Sequence, residues 1–231
     1  MFLLDYSHVD VSYDGVPVVR DFCARVEPGE MLGIVGPSGC GKSSLLRAAM
    51  GLLGPTGMVT RGRILYRGAD LVEMAPAELR RLRGPELAMV FQDCLAALTP
   101  TRTIGAQLVE SVAAHGPVRR TDVEQRACDL LERVNVADPR RILASYPFEL
   151  SGGLGQRVGI VMAMIMEPAV LFADEPTSAL DAVTQVAVVR ELEQLAAACS
   201  TAVVLVTHNV PLALSHCGQV IELETDREGK R

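Results

Sequence analysis

The densest chemistry in the sequence lies in Gly36-Pro37-Ser38-Gly39-Cys40-Gly41-Lys42-Ser43. This stretch fits the pattern G-x-x-x-x-G-K-[ST] throughout. It sits between an apolar run, Met31–Val35, and a helix-compatible segment from Lys42 to Met50, the strand-then-helix context that a phosphate-binding loop requires. Glycines at 36, 39 and 41 free the backbone to turn its N–H groups toward phosphate oxygens, and the helix that follows adds its positive end. Pro37, Ser38 and Cys40 contribute backbone only, although the Cys40 thiol leaves the loop open to thiol reagents. Lys42 brings a compact charge to the β- and γ-phosphates, a task for which arginine's planar fork is poorly shaped. Ser43, followed by Ser44, offers a hydroxyl to Mg²⁺. Composition singles out the same residue: of 22 basic side chains, only Lys42 and Lys230 are lysines.

A second candidate is the end of Val170-Leu171-Phe172-Ala173-Asp174-Glu175, an apolar strand closed by two carboxylates. Asp174 is placed to hold the magnesium shell. Glu175 is placed to orient or deprotonate an attacking water. Alone, such a pair reads more often as a solvated strand end. The phosphate loop upstream is what favours catalysis.

The elements that must hold these groups follow from periodicity. Val9, Val11 and Tyr13 alternate, as do Phe22, Ala24 and Val26, which predicts half-buried strands near the N-terminus. Gly62–Arg67 predicts another strand. Met31–Val35, Ala169–Ala173 and Thr201–Val206 read as buried strands. Lys42–Met50, Ser151–Met166 and Asp181–Ala198 read as helices. Strand, helix and strand at this spacing predict βαβ units and a parallel sheet. Between Thr99 and Pro147 the pattern turns helical, over Ile104–His115 and Thr121–Val136, with Gly116-Pro117 as the break.

Composition sets outer bounds. The chain has 231 residues, 49% of them hydrophobic, enough for one large domain or a core with a subdomain. A net charge of −6 argues against nucleic acid as a partner. The apolar run Val158–Met166 stops at Glu167-Pro168, far short of the roughly 20 residues of a membrane span. Met-Phe-Leu-Leu-Asp-Tyr at the start lacks the features of a signal peptide. The six cysteines show no C-x-x-C pair, so free thiols in a reducing cytosol are expected. His8, His115 and His216 show no partner spacing.

Taken together, these motifs resemble those of ATP-binding cassette (ABC) ATPases. Leu150-Ser151-Gly152-Gly153-Leu154-Gly155-Gln156-Arg157 resembles the family's signature motif. Asp174-Glu175-Pro176-Thr177-Ser178-Ala179-Leu180-Asp181 is similar to its Walker B end and D-loop. Phe91-Gln92-Asp93 resembles the Q-loop. His208 stands where the family keeps its switch histidine, and Tyr13 where it keeps an adenine-stacking aromatic. The resemblance implies an α/β fold: a P-loop NTPase (RecA-like) core with an N-terminal antiparallel β region and a helical subdomain. It divides the chain into 1–95, 96–155 and 156–231, the middle part being the helical block.

It also implies roles. Two ATPase subunits would face each other head to tail, with ATP and Mg²⁺ between one phosphate loop and the other subunit's Ser151, Gly152 and Gly153. Gln92 would reach the metal and the attacking water, and His208 the γ-phosphate. Phe91–Leu108 and Tyr146–Gly153 are similar to the corresponding segments of dipeptide, oligopeptide and nickel importer ATPases. Such a chain would sit on the cytoplasmic face of the membrane with two permease subunits, a second ATPase and an extracytoplasmic solute-binding protein. An exporter or lipoprotein-release ATPase, or a soluble ABC ATPase, is the alternative. Leu154, Gly155 and Asn209 depart from the importer pattern, and the sequence ends before the C-terminal extension typical of oligopeptide importer ATPases, as either a compact member or a shortened chain would.

Overall fold

The computed structural model describes residues 2–224. Strands β1 (Leu4–Tyr13) and β2 (Val16–Val26) form a hairpin closed by Asp14-Gly15. Both turn residues have positive φ, 49° and 78°, the twist that suits a two-residue hairpin loop. β4 (Gly57–Tyr66) pairs with the other edge of β1, and the short β5 (Ala69–Asp70) completes an antiparallel sheet ordered β2-β1-β4-β5. Phe22, Ala24 and Val26 all point inward, as their alternation predicts. In β1 the alternation is interrupted: the register shifts between Tyr6 and Val9, with His8 at φ 53°, a bulge that re-aims the strand. β4 starts at Gly57 rather than Gly62, because Gly57 pairs with Tyr13 at the far end of β1.

The second sheet is parallel and ordered β6-β7-β8-β3-β9. It comprises β3 (Met31–Val35), β6 (Leu87–Val90), β7 (Val170–Asp174), β8 (Ala202–Thr207) and β9 (Gln219–Glu222). Every residue of β3, β7 and β8 is buried, which accounts for their continuous apolar runs. β9 forms the edge of the sheet beside β3.

Alternating side chains on these strands feed two separate apolar interiors. Val170, Phe172, Val204 and Val206 face α1 (Lys42–Ala49) and the antiparallel sheet. Leu171, Ala173, Val203 and Leu205 face the larger helical side. That side contains α3 (Ile104–Ala113), α4 (Arg120–Arg133), α5 (Pro139–Ala144), α6 (Gly152–Met164) and α7 (Ala182–Cys199). α2 (Pro76–Leu82) precedes β6, and α8 (Val210–His216) links β8 to β9. Buried Glu191 of α7 accepts two hydrogen bonds from Arg157 of α6, at 2.8 and 2.9 Å, and one from Asn135 after α4, at 2.9 Å. The three helices are thereby tied by a charge that is fully paired, the condition for burying it at all.

Phe172 is fully buried in the middle of β7. Phe172→Ala is expected to lower the stability of the folded chain by about 3–5 kcal/mol, read as a lower denaturant midpoint with an unchanged slope. All six cysteines are free thiols. No helix among the described residues is long and apolar enough to cross a membrane.

Candidate functional site

The site lies at the carboxyl ends of the parallel strands, where open α/β sheets bind ligands. β3 delivers the phosphate loop and α1 carries it away. Gly41 occupies the N-cap position of α1 at φ 96°. A β-carbon there would fall 2.4 Å from Val19 Cγ2, so β2 packs too closely for any other residue. No side chain caps the helix, which leaves its first N–H groups free for an anion.

Lys42 is 4% exposed. Its ammonium donates to the carbonyls of Gly36 at 2.8 Å and Pro37 at 2.9 Å, and lies 3.7 Å from Glu175 Oε1. The charge is therefore held at the mouth of its own loop. Ser43 donates its hydroxyl to Asp174 Oδ1 at 2.6 Å. Arg47, one helical turn after Ser43, brings Nη2 to 3.9 Å from Asp174 Oδ2. Burial pushes the Asp174 carboxyl above the usual range, while Ser43 and Arg47 oppose that shift.

Glu175 follows β7 in the left-handed region, at φ 46°, and donates its N–H to Val206 O at 3.0 Å. A left-handed glutamate is uncommon, and strain of this kind concentrates at functional positions. The turn aims the carboxylate between Lys42 and His208, whose Nδ1 lies 3.4 Å from Glu175 Oε2. His208 is exposed, directly after β8.

Tyr13, at the end of β1, donates its hydroxyl to Ser44 Oγ at 3.3 Å and so stands beside the first turn of α1. Gln92 is exposed two residues beyond β6. β6 pairs with β7 through Val90 and Ala173, so Gln92 leaves the sheet at the same end as Asp174. The fold thus gathers Gly36–Ser44, Tyr13, Asp174, Glu175 and His208 in direct contact, with Gln92 on the same edge. It does not bring Ser151, Gly152 and Gly153 to them. Those residues start α6, with Ser151 Oγ accepting from Leu154 N at 3.4 Å, and no hydrogen bond among the described residues joins them to the phosphate loop.

Arg47 escaped the sequence reading, although its position four residues after Ser43 puts it on the same face of α1. The magnesium assignment fits the donor chemistry, since Ser43 and Asp174 present hard oxygen atoms side by side.

A family model described as "ABC transporter" matches residues 19–178. The chain is 40% identical to a probable peptide ABC transporter ATP-binding protein, y4tR, of Sinorhizobium fredii, over 88% of this chain and 61% of the relative. It is 39% identical to a probable D,D-dipeptide transport ATP-binding protein, DdpD, of Escherichia coli, over 94% of this chain and 68% of the relative. It is 37% identical to the dipeptide transport ATP-binding protein DppD of Bacillus subtilis, over 94% and 68%. The chain thus spans about three-fifths to two-thirds of the length of these relatives. Among solved structures it is similar to a dimeric bacterial ABC transporter cassette, MJ0796, with TM-score 0.83 and 26% identity over 97% of both chains. A post-hydrolysis dimer of the same cassette, bound to ADP and Pi, gives TM-score 0.82. Sequence and fold agree, and the chain belongs to the ABC transporter family.

Proposed function

We propose that this chain is the ATP-hydrolysing subunit of an ABC importer for small peptides. The observation that carries the reading is the unbroken line of contacts from Lys42 through Glu175 to His208, with Ser43 on Asp174 beside it. The peptide cargo rests on the relatives' names. Nickel belongs to the same resemblance but to none of those names.

The residues divide the work as follows. The N–H groups of Gly36–Ser43 and the start of α1 hold the phosphates. The Lys42 ammonium, already fixed at the loop mouth, neutralises the β- and γ-oxygens. Glu175 accepts the proton of the water that attacks the γ-phosphorus, and ADP leaves on the bridging oxygen. His208, beside Glu175, donates to the γ-phosphate. Tyr13 provides a ring for adenine. Ser43, Asp174 and Gln92 hold Mg²⁺, which when bound neutralises phosphate charge.

Ser151, Gly152 and Gly153 complete a partner's site. They start α6 away from the chain's own phosphate loop, and a helix start with two glycines suits a phosphate approaching from another subunit. The permease partners fit a different surface. An apolar groove of about 280 Å³ opens next to the Gln92 loop, lined by Phe91, Leu98, His115, Met162 and Met166. Flexible methionine side chains around an exposed phenylalanine suit an inserted apolar segment. On this reading the chain works at the cytoplasmic face of a membrane, with a second ATPase, two permeases and an extracytoplasmic binding protein.

Ser151→Arg tests the shared site. The isolated chain should bind a non-hydrolysable ATP analogue within about twofold of wild type. Turnover of the complex with its ATPase and permease partners should fall at least roughly 10²-fold, the scale of losing one transition-state anion contact. Equal loss in both assays, or in neither, refutes a site built by two subunits.

A further inference from the structure

Tyr146 and Phe148 stand just ahead of the Ser151-Gly152-Gly153 helix start. Their rings stack with centroids 5.6 Å apart and planes 10° from parallel. Phe148 is 73% exposed, more than any other phenylalanine or tyrosine among the described residues. The chain has only five phenylalanines, four tyrosines and no tryptophan. Two of these scarce rings lie on the surface here, one backing the other, and the larger part of Phe148 meets water.

The backbone beneath the pair is fixed. Tyr146 N donates to Glu149 Oε2 at 2.7 Å, Glu149 N to Tyr146 O at 3.1 Å and Leu150 N to Pro147 O at 3.2 Å. These bonds close one tight turn around buried Pro147. Upstream, Ile104 N donates to Ser145 O at 2.9 Å and ties the segment to the start of α3. Downstream the turn passes directly into Ser151, the N-cap of α6. A ring on such a turn has little freedom left to lose and is pre-organised for a flat partner.

Position decides which partner. The apolar groove beside Gln92 takes in Met162, about 15 Å along the axis of α6 from Gly152, and Phe148 precedes the opposite end of that helix. What Phe148 can reach is whatever Ser151 faces, since three residues of chain span at most about 10 Å. On the shared-site reading above, on which this inference rests, Ser151 faces the γ-phosphate of a nucleotide seated on the partner's phosphate loop. The triphosphate leads from there to the base, the flat group of that ligand.

We propose that Phe148 stacks on the base of the nucleotide held by the partner subunit, with Tyr146 as the ring that backs it. Tyr13 serves the chain's own nucleotide, and Phe148 serves the other one. The contact tolerates any base, because every base has a π face. It forms with substrate and transition state alike, so it acts on KM and leaves kcat alone.

The experiment compares wild type, Phe148→Ala, Phe148→Leu and Phe148→Tyr in the complex with the ATPase and permease partners. Phe148→Ala and Phe148→Leu should raise KM for ATP about tenfold, the scale of one base–aromatic stack, and KM for GTP by the same factor. Their kcat should stay within about twofold of wild type. Phe148→Tyr should keep the wild-type KM. Competition by inorganic tripolyphosphate, which has the phosphates and no base, should be equal in all four. Binding of a non-hydrolysable ATP analogue to the isolated chain should also be equal, because the ring serves another subunit's site. An unchanged KM in Phe148→Ala overturns the stack. So does weaker tripolyphosphate competition, which would make the ring a mere support for Ser151, or weaker analogue binding by the isolated chain, which would put it in the chain's own site. Wild-type KM in Phe148→Leu, with permease lost from the Phe148→Ala complex, also overturns it and assigns the ring to protein docking. Failure of the shared site itself is read separately, from Ser151→Arg losing binding and turnover equally or losing neither.

Discussion

Lys42→Ala is expected to reduce ATP turnover by roughly 10²–10³-fold and to weaken nucleotide binding as well. The ammonium is a fixed charge at the phosphate position, and removing one such donor from a preorganised site has effects of this size. Two features make the loss severe. No other lysine lies within residues 1–229 to substitute. The carbonyls of Gly36 and Pro37 also lose their donor, so the loop itself loosens. Turnover and analogue binding measured on the same preparation separate the two contributions, and a thermal midpoint shows whether the fold survives. Wild-type turnover in Lys42→Ala would remove the residue from the mechanism. Lys42→Arg should recover only part of the activity, because the guanidinium is too broad for a space closed by two carbonyls and a carboxylate.

Glu175→Gln should separate binding from chemistry. The amide preserves shape but cannot take a proton from water, so hydrolysis should drop by about 10²–10⁴-fold. Binding should hold or improve. Glu175 Oε1 lies 3.7 Å from the Lys42 ammonium, and neutralising it leaves that charge wholly available to phosphate. With Mg-ATP present the unhydrolysed nucleotide should stabilise the paired subunits, visible as a larger species on sizing that is absent without nucleotide. Undiminished hydrolysis would transfer the role of base to another group, with His208 at 3.4 Å the nearest candidate.

Long buried strands and the loops tied to them were readable before any coordinates. β3 spans the same five residues that its apolar run delimits, because a strand covered on both faces must be apolar at every position. The phosphate loop was readable for a related reason: three glycines at fixed intervals admit few other uses. Short elements were harder. β6 has four residues and follows Gly84-Pro85, too little for a period to emerge. α8 has seven, although Asn209 followed by Pro211 marks a helix start. Pairings were not legible at all. Arg47 on Asp174, Arg157 on Glu191 and Asn209 on Gln185 join residues 24 to 127 positions apart, and only tertiary packing decides which polar side chains meet. The bulge at His8 was hidden because Val9, Val11 and Tyr13 after it keep the look of simple alternation.

The parallel sheet that separates two apolar interiors also separates two histories. The side chains lining the two interiors form two separate clusters, so substitutions at well-separated positions on opposite faces combine additively. The face toward α1 is bound to the phosphate loop and tolerates little change. The face toward α3–α7 can be repacked without moving Lys42 or Asp174. Drift on the helical side could therefore repack one interior while the phosphate loop, held on the other side of a single layer of strands, stayed the same.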